Sequence, residues 1–384
     1  MLRRHRLFSL AAIASAAVIG ATSVAPPASA GGDRGGGSTS PKVVATGLDN
    51  PRQLSFTRSG DLLVAEAGEG GAGPCNPGPE DPTALVCFGT SGAITKISSR
   101  GHQSRIITGL PSIAAQDTGA EASGPSDVAA TGRHLSVLIG LGADPAIRST
   151  LPRAGRRLGT LVETTRGYDG LRTVADIAGW EADNNPVPPA DAPDSNPVGM
   201  LVDDGRYVVA DAGGNTVLSV TPRGRIRQVA AFPTTRTADA PPFLGLPPGT
   251  QLPLQEVPTS VATKGRDGAY YVSQLTGFPF PKGAANIYRV DPRTGRTTVY
   301  ASGLTNVTDL AFDGRTLYAV QISTEGLLTG PTGSVVKIRP GGSSHTTVVG
   351  DLFAPYGIAI SKGNAYVTTG AVAKDEGQVL RIRL

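Results

Sequence analysis

The chain of 384 residues carries 35 basic and 31 acidic side chains, with 51 glycines, 31 prolines and two cysteines. Arg3, Arg4 and Arg6 lie in an N-terminal leader without acids, which leaves 32 basic against 31 acidic residues in the remainder. That balance excludes the basic face that nucleic acid demands and the polybasic patch that an anionic membrane demands.

In the leader, an apolar run from Leu7 to Ala21 follows the arginines, and Ala28-Ser29-Ala30 has the small-x-small form of an export cleavage site. Residues 1–30 read as a signal peptide, so the chain is expected outside the cell or associated with its envelope. No later stretch approaches the ~20 apolar residues of a spanning helix, and no transmembrane segment is expected after cleavage. Gly31 to Ser40 is a flexible Gly/Ser-rich lead-in, and residues 41–384 read as one domain.

From residue 41 onward, short alternating apolar runs recur between glycine-containing turns, which is a strand pattern rather than a helical one. One motif recurs six times. It opens at Pro51-Arg52-Gln53-Leu54, Pro125-Ser126-Asp127-Val128, Pro197-Val198-Gly199-Met200, Pro258-Thr259-Ser260-Val261, Val307-Thr308-Asp309-Leu310 and Pro355-Tyr356-Gly357-Ile358. Each opening is followed by a tight turn, a second strand such as Tyr207 to Ala210 and a third such as Thr216 to Val220. The first five copies add a fourth strand. The sixth runs out at Leu384, and Lys42-Val43-Val44-Ala45 has the character to complete it. Five full copies and one shared between the ends predict an all-β, six-bladed β-propeller, closed by pairing of the N-terminal strand with the C-terminal blade. Closure removes the open sheet edges.

Spacing divides the two faces. Turns such as Asp203-Asp204-Gly205 are tight, whereas the connections Glu66 to Gly92, Gly140 to Arg157, Glu181 to Asn196, Phe232 to Glu256 and Leu275 to Ala285 are long. All the long ones fall at one end of the barrel of blades, where function is expected. Cys75 and Cys87 lie in the first of them, and in an exported chain they read as a local disulfide.

Several segments resemble the ScyD/ScyE-type secreted propellers. They are Pro51-Arg52, Leu62-Leu63-Val64-Ala65-Glu66, Gly124-Pro125-Ser126-Asp127, Trp180-Glu181-Ala182-Asp183-Asn184-Asn185-Pro186 and Asp194-Ser195-Asn196-Pro197. More distantly, Tyr207-Val208-Val209-Ala210-Asp211 with Gly214-Asn215-Thr216-Val217 is similar to NHL-repeat and calcium-dependent phosphotriesterase propellers. The resemblance implies the fold over about Lys42 to Leu384 and no settled activity.

Two rings of side chains are expected at the channel mouth. The first strands supply Gln53, Asp127, Ser260 and Asp309, and the ends of the second strands supply Glu66, Asp211, Gln274 and Gln321. Glu66, Asp127, Asp211 and Asp309 are the candidate metal ligands, and calcium is the cation that an oxygen set would suit. Gln53, Ser260, Gln274, Gln321 and Trp180 are candidate ligand contacts. The same polar groups could instead bond neighbouring backbone, and Trp180 could simply pack its loop. No catalytic residue can be named, because the only histidines after the leader, His102, His134 and His345, form no metal-spaced or acid–base pattern. Gly68, Gly70 and Gly73 fit GxGxxG but are followed by Pro74 and Cys75 instead of a helix, so they are a loop. The expected function is a monomeric binding or scaffold propeller taking a polar small molecule or protein on its long-loop face. The alternative is a calcium-dependent, lactonase-like hydrolase with an axial metal.

Overall fold

The computed structural model describes residues 40–78, 83–132, 134–164, 170–187, 193–265 and 267–384. The expected signal peptide and most of the expected lead-in lie outside the described residues.

Among the described residues, six antiparallel blade sheets follow one another, with a separate two-stranded sheet between the third and the fourth. Blade 1 begins with Pro51–Phe56 and Leu62–Glu66, blade 2 with Pro125–Thr131 and His134–Ile139, and blade 3 with Pro197–Asp203 and Arg206–Asp211. Blade 4 begins with Pro258–Ala262 and Tyr270–Gln274, blade 5 with Val307–Asp313 and Thr316–Gln321, and blade 6 with Ile358–Ser361 and Asn364–Thr369. Closure is as expected: Lys42–Leu48 pairs antiparallel with Gly377–Arg383 as the outer strand of blade 6.

The core is divided into layers between the blades. Along Arg206–Asp211, Tyr207 and Val209 pack with Leu138 and Leu161 of blade 2, while Val208 and Ala210 pack with Val261 and Val272 of blade 4. Strand side chains alternate between two faces, and here both faces are buried. That is why the second strands read as nearly continuous apolar runs. Hydroxyls stitch the inner strands together where the layers reach the axis. Ser126 Oγ donates to Pro197 O (2.9 Å), Thr259 Oγ1 to Val307 O (2.7 Å) and Thr308 Oγ1 to Tyr356 O (2.6 Å). Thr368 Oγ1 closes the ring by donating to Arg52 O at 2.8 Å.

The long connections are more ordered than loops. In blade 1, Leu85–Ile97 and Gln103–Ala115 extend the sheet, and Cys75–Pro77 adds a fifth strand. The disulfide between Cys75 and Cys87 joins directly paired residues of that extension. Blade 2 ends at Leu171–Asp176 and passes straight into an α-helix, Ile177–Asn184. Asp176 caps it, its Oδ1 accepting from Gly179 N at 2.9 Å, and Asn185 ends it in the left-handed conformation. Between blades 3 and 4 lies a separate two-stranded hairpin, Arg236–Asp239 with Gln251–Leu254. Among the described residues, no helix is long and apolar enough to cross a membrane.

Candidate functional site

The first ring converges on the axis and closes it. Gln53 Nε2 reaches from blade 1 to the carbonyls of Thr259 (3.1 Å) and Thr308 (3.4 Å) on blades 4 and 5. Asp127 accepts from Val128 N and, in the next blade, from Met200 N, both at 2.7 Å. Asp309 repeats this arrangement with Leu310 N and Ile358 N at 2.8 Å, and takes a third bond from Ser260 Oγ at 2.6 Å. The bonds to Met200 and Ile358 explain why an acid stands here in blades 2 and 5: each carboxylate satisfies a neighbouring blade's first-strand amide. In blades 3 and 6 the position is glycine because a Cβ would strike backbone, 2.3 Å from Thr259 O at Gly199 and 2.7 Å from Arg52 O at Gly357.

Burial raises both aspartates despite these donors. Asp309 is pushed up to about 7, and Asp127 is held well above the ordinary carboxylate range by burial first and by the facing Asp309 charge second. Tyr356 feels the charge of both. Its ring lies 4.8 Å under the Arg52 guanidinium, which is itself buried, with Nη2 donating to Ala122 O at 2.5 Å and Nη1 left without a partner. Sequence reasoning missed Arg52 and Tyr356, although both are visible in the repeat openings as the two large polar side chains at the second position.

The second ring does not point down the channel; it holds incoming chain against the ends of the second strands. Glu66, fully buried, accepts from Asp49 N (2.9 Å), from Thr95 Oγ1 (2.5 Å) and from Arg105, whose Nη2 stands 2.7 Å from Oε2. Gln321 Oε1 accepts from Thr305 N (2.7 Å), and its Nε2 donates to Ser334 Oγ (3.0 Å). Gln274 accepts from Asn286 N at 2.8 Å and donates to Glu256, whose carboxylate also takes Tyr288 Oη and Arg236. Asp211 accepts from Ser195 Oγ (2.8 Å), Asn196 N (2.6 Å) and Gly214 N (3.2 Å).

Asp211 also belongs to a second acidic locus, off the axis. Glu181 reaches it from the helix and Asp194 from the segment entering blade 3. Burial first, then the Asp211 charge, raises Glu181 to about 8 and Asp194 to about 7. Trp180 is half-buried and packs against the Leu138, Leu161 and Tyr207 layer.

The four candidate metal ligands are thus divided among separate settings. Glu66 is ion-paired, both oxygens of Asp127 and of Asp309 are engaged by N–H donors, and Asp211 lies with Glu181. Among the described residues, no group of three or more His, Cys, Asp or Glu side chains stands close enough, as placed, to hold a metal ion.

No family model matches the sequence, and no curated protein does. Solved structures do match in shape. A protein of unknown function from Bacteroides thetaiotaomicron covers 90% of this chain, with 72% of its own length, at TM-score 0.51 and 9% identity. A gluconolactonase from Xanthomonas campestris covers 89%, with 88% of its own length, at TM-score 0.51 and 10% identity. A virginiamycin B lyase from Staphylococcus aureus covers 90%, with 99% of its own length, at TM-score 0.46 and 11% identity. At such identities the two likenesses at TM-score 0.51 establish the fold alone, and none reaches the narrower ScyD/ScyE or NHL resemblance. They also correct the expectation of a binding or scaffold propeller. That expectation is set aside because a solved propeller of this fold is named for an enzymatic activity. The chain is a six-bladed β-propeller of the same architecture as that gluconolactonase.

Proposed function

We propose that the chain is a hydrolase of lactone-like cyclic esters, a propeller of ScyD/ScyE type exported from the cell, working at the axial end of its long-loop face. The observation that carries this reading is the Asp127–Asp309 pair: two buried carboxyl groups at equivalent positions of blades 2 and 5, both raised by burial, with the charge of Asp309 raising Asp127 further. In this reading Asp127, held well above the ordinary carboxylate range, serves as the acid and Asp309 as the base.

In the proposed reaction Asp309 takes a proton from water as the water oxygen bonds to the ester carbonyl carbon. Collapse breaks the ring C–O bond, and Asp127 gives its proton to the leaving alkoxide. The proton on Asp309 then restores the pair, and the product is a hydroxy acid. The gluconolactonase of the same fold supports cyclic esters as the substrates to try first. The proposal needs no axial cation.

The test is pH-stat hydrolysis of a panel of five- and six-membered lactones by the full-length protein, with Asp309→Asn and Asp127→Asn alongside. Turnover by the wild type that falls roughly 100-fold or more in each variant, with melting curves showing them folded, is the expected result. No turnover of any lactone by the wild type would overturn the reading.

A further inference from the structure

The turn of the hairpin formed by Arg236–Asp239 and Gln251–Leu254 carries eight consecutive exposed residues, Pro242-Phe243-Leu244-Gly245-Leu246-Pro247-Pro248-Gly249, without one polar side-chain atom among them. Phe243 is 69% exposed, Leu244 41% and Leu246 43%. No charged side chain occurs from Ala240 to Gln255. Apolar surface concentrated in this way marks a contact.

The tip is built to stay out in front. Pro241, Pro242, Pro247 and Pro248 fix its backbone. At the hairpin base the Arg236 guanidinium donates to both Glu256 oxygens at 3.2 Å and to Ala284 O at 2.8 Å. Behind the tip, Phe243 meets Phe278 edge-on at 6.3 Å, and Phe278 meets the buried Phe280 at 6.1 Å. The apolar side chains are therefore presented outward on a preformed support.

Size and backbone chemistry point to the occupant. Three such side chains expose on the order of 300 Å², well below the roughly 800 Å² that each partner gives to a stable protein interface. A lipid surface asks for less area: apolar side chains that reach past the headgroups, and a backbone that makes few demands on water. Of the eight residues, three are prolines without an N–H, and Leu244 N and Gly245 N are turned inward onto Pro241 O and Pro242 O, both at 3.1 Å. The uncharged tip suits a zwitterionic surface and needs no polybasic patch. We propose that Phe243, Leu244 and Leu246 insert into the interface of a lipid bilayer and hold the long-loop face against it. The tip shares no residue with the axial pair, so it stands or falls independently of the hydrolase reading.

Trp180 is the single tryptophan of the chain and lies far along the sequence from the tip, so the wild type is the blank for a tryptophan placed at position 243. Phe243→Trp in the full chain is mixed with phosphatidylcholine vesicles whose acyl chains carry bromine, which quenches an indole that enters them. A blue shift and quenching of F243W that persist in about 1 M salt are expected, with wild-type Trp180 emission unquenched. Adding Leu244→Glu and Leu246→Glu should weaken the apparent partition roughly 10-fold or more, with Tm unchanged because both positions are exposed. Unquenched F243W, or quenching that survives the two glutamates or vanishes in salt, would overturn the proposal. So would a blue shift without vesicles that grows with protein concentration, which would show that a second copy covers the tip.

Discussion

Ser260 Oγ donates to Asp309 Oδ1 at 2.6 Å, joining the inner strands of blades 4 and 5 through one of the two axial acids. The bond favours the ionised carboxylate and so lowers a titration that burial raises. In Ser260→Ala that donor is gone, and the Asp309 titration should move upward by about one pH unit, the scale of one hydrogen bond to a charged group. Carboxyl carbon shifts followed by NMR across pH 5 to 9 would show it. An unchanged midpoint would mean that the hydroxyl does not set the charge state of Asp309.

The raised acids also predict how stability depends on pH. Asp309 and Asp194, at about 7, and Glu181, at about 8, all bind protons more tightly folded than unfolded. Between roughly pH 4 and 8 the folded state therefore holds more protons, and stability falls as pH rises. Chelator-treated protein should melt highest on the mildly acidic side and lose Tm progressively towards pH 8. Asp309→Asn, which cannot ionise, should flatten part of that slope. A Tm that climbs from pH 5 to pH 8 would contradict the sign.

How much of this was legible in the sequence divides along physical lines. The six copies, their register and the closing strand are properties of local patterning, and Lys42 pairs with Arg381 as the closure argument requires. The axial convergence of Asp127, Asp309, Gln53 and Ser260 followed from equivalence between copies. The second ring did not follow, because where Glu66 points depends on Arg105, thirty-nine residues away on the outer strand. Nor could spacing reveal the locus of Glu181, Asp194 and Asp211. It exists because Asp176 starts a helix where the repeat called for more strand, turning Glu181 inward beside Ile177 and Ala178.

Arg105 gives a direct test of that missed partnership. Its guanidinium bridges Glu66 and Asp49, with Nη2 at 2.7 Å and 2.8 Å, and it is 41% exposed while Glu66 is wholly buried. Arg105→Met would leave the Glu66 charge buried without its cation, a change that costs about 3–5 kcal/mol when both partners are buried. With Arg105 partly in water, roughly 2–3 kcal/mol is expected. Adding Glu66→Gln should recover much of the loss, since the charge then disappears. Denaturant unfolding of the single and double variants is the measurement, and equal stability of R105M and the wild type would show the pair to be inert.

The tightest constraint on the axis is at Gly199. A methyl group there would stand 2.3 Å from Thr259 O and 3.1 Å from Gln53 Nε2, inside the contact between blades 3 and 4. Gly199→Ala must separate the two inner strands and loosen the bond from Gln53 to Thr259. Gly205 makes the contrast. It lies in a tight turn at φ +70° with open space around it, so Gly205→Ala is penalised by backbone conformation alone, about 1 kcal/mol. Overpacking in a closed ring cannot relax at a free edge, and the axial substitution should cost at least ~3 kcal/mol, the upper end for an inserted methyl group. If the two alanine variants unfolded at the same denaturant concentration, the inner strands would be free to shift, and the rigid spacing on which the Asp127–Asp309 pair relies would be lost.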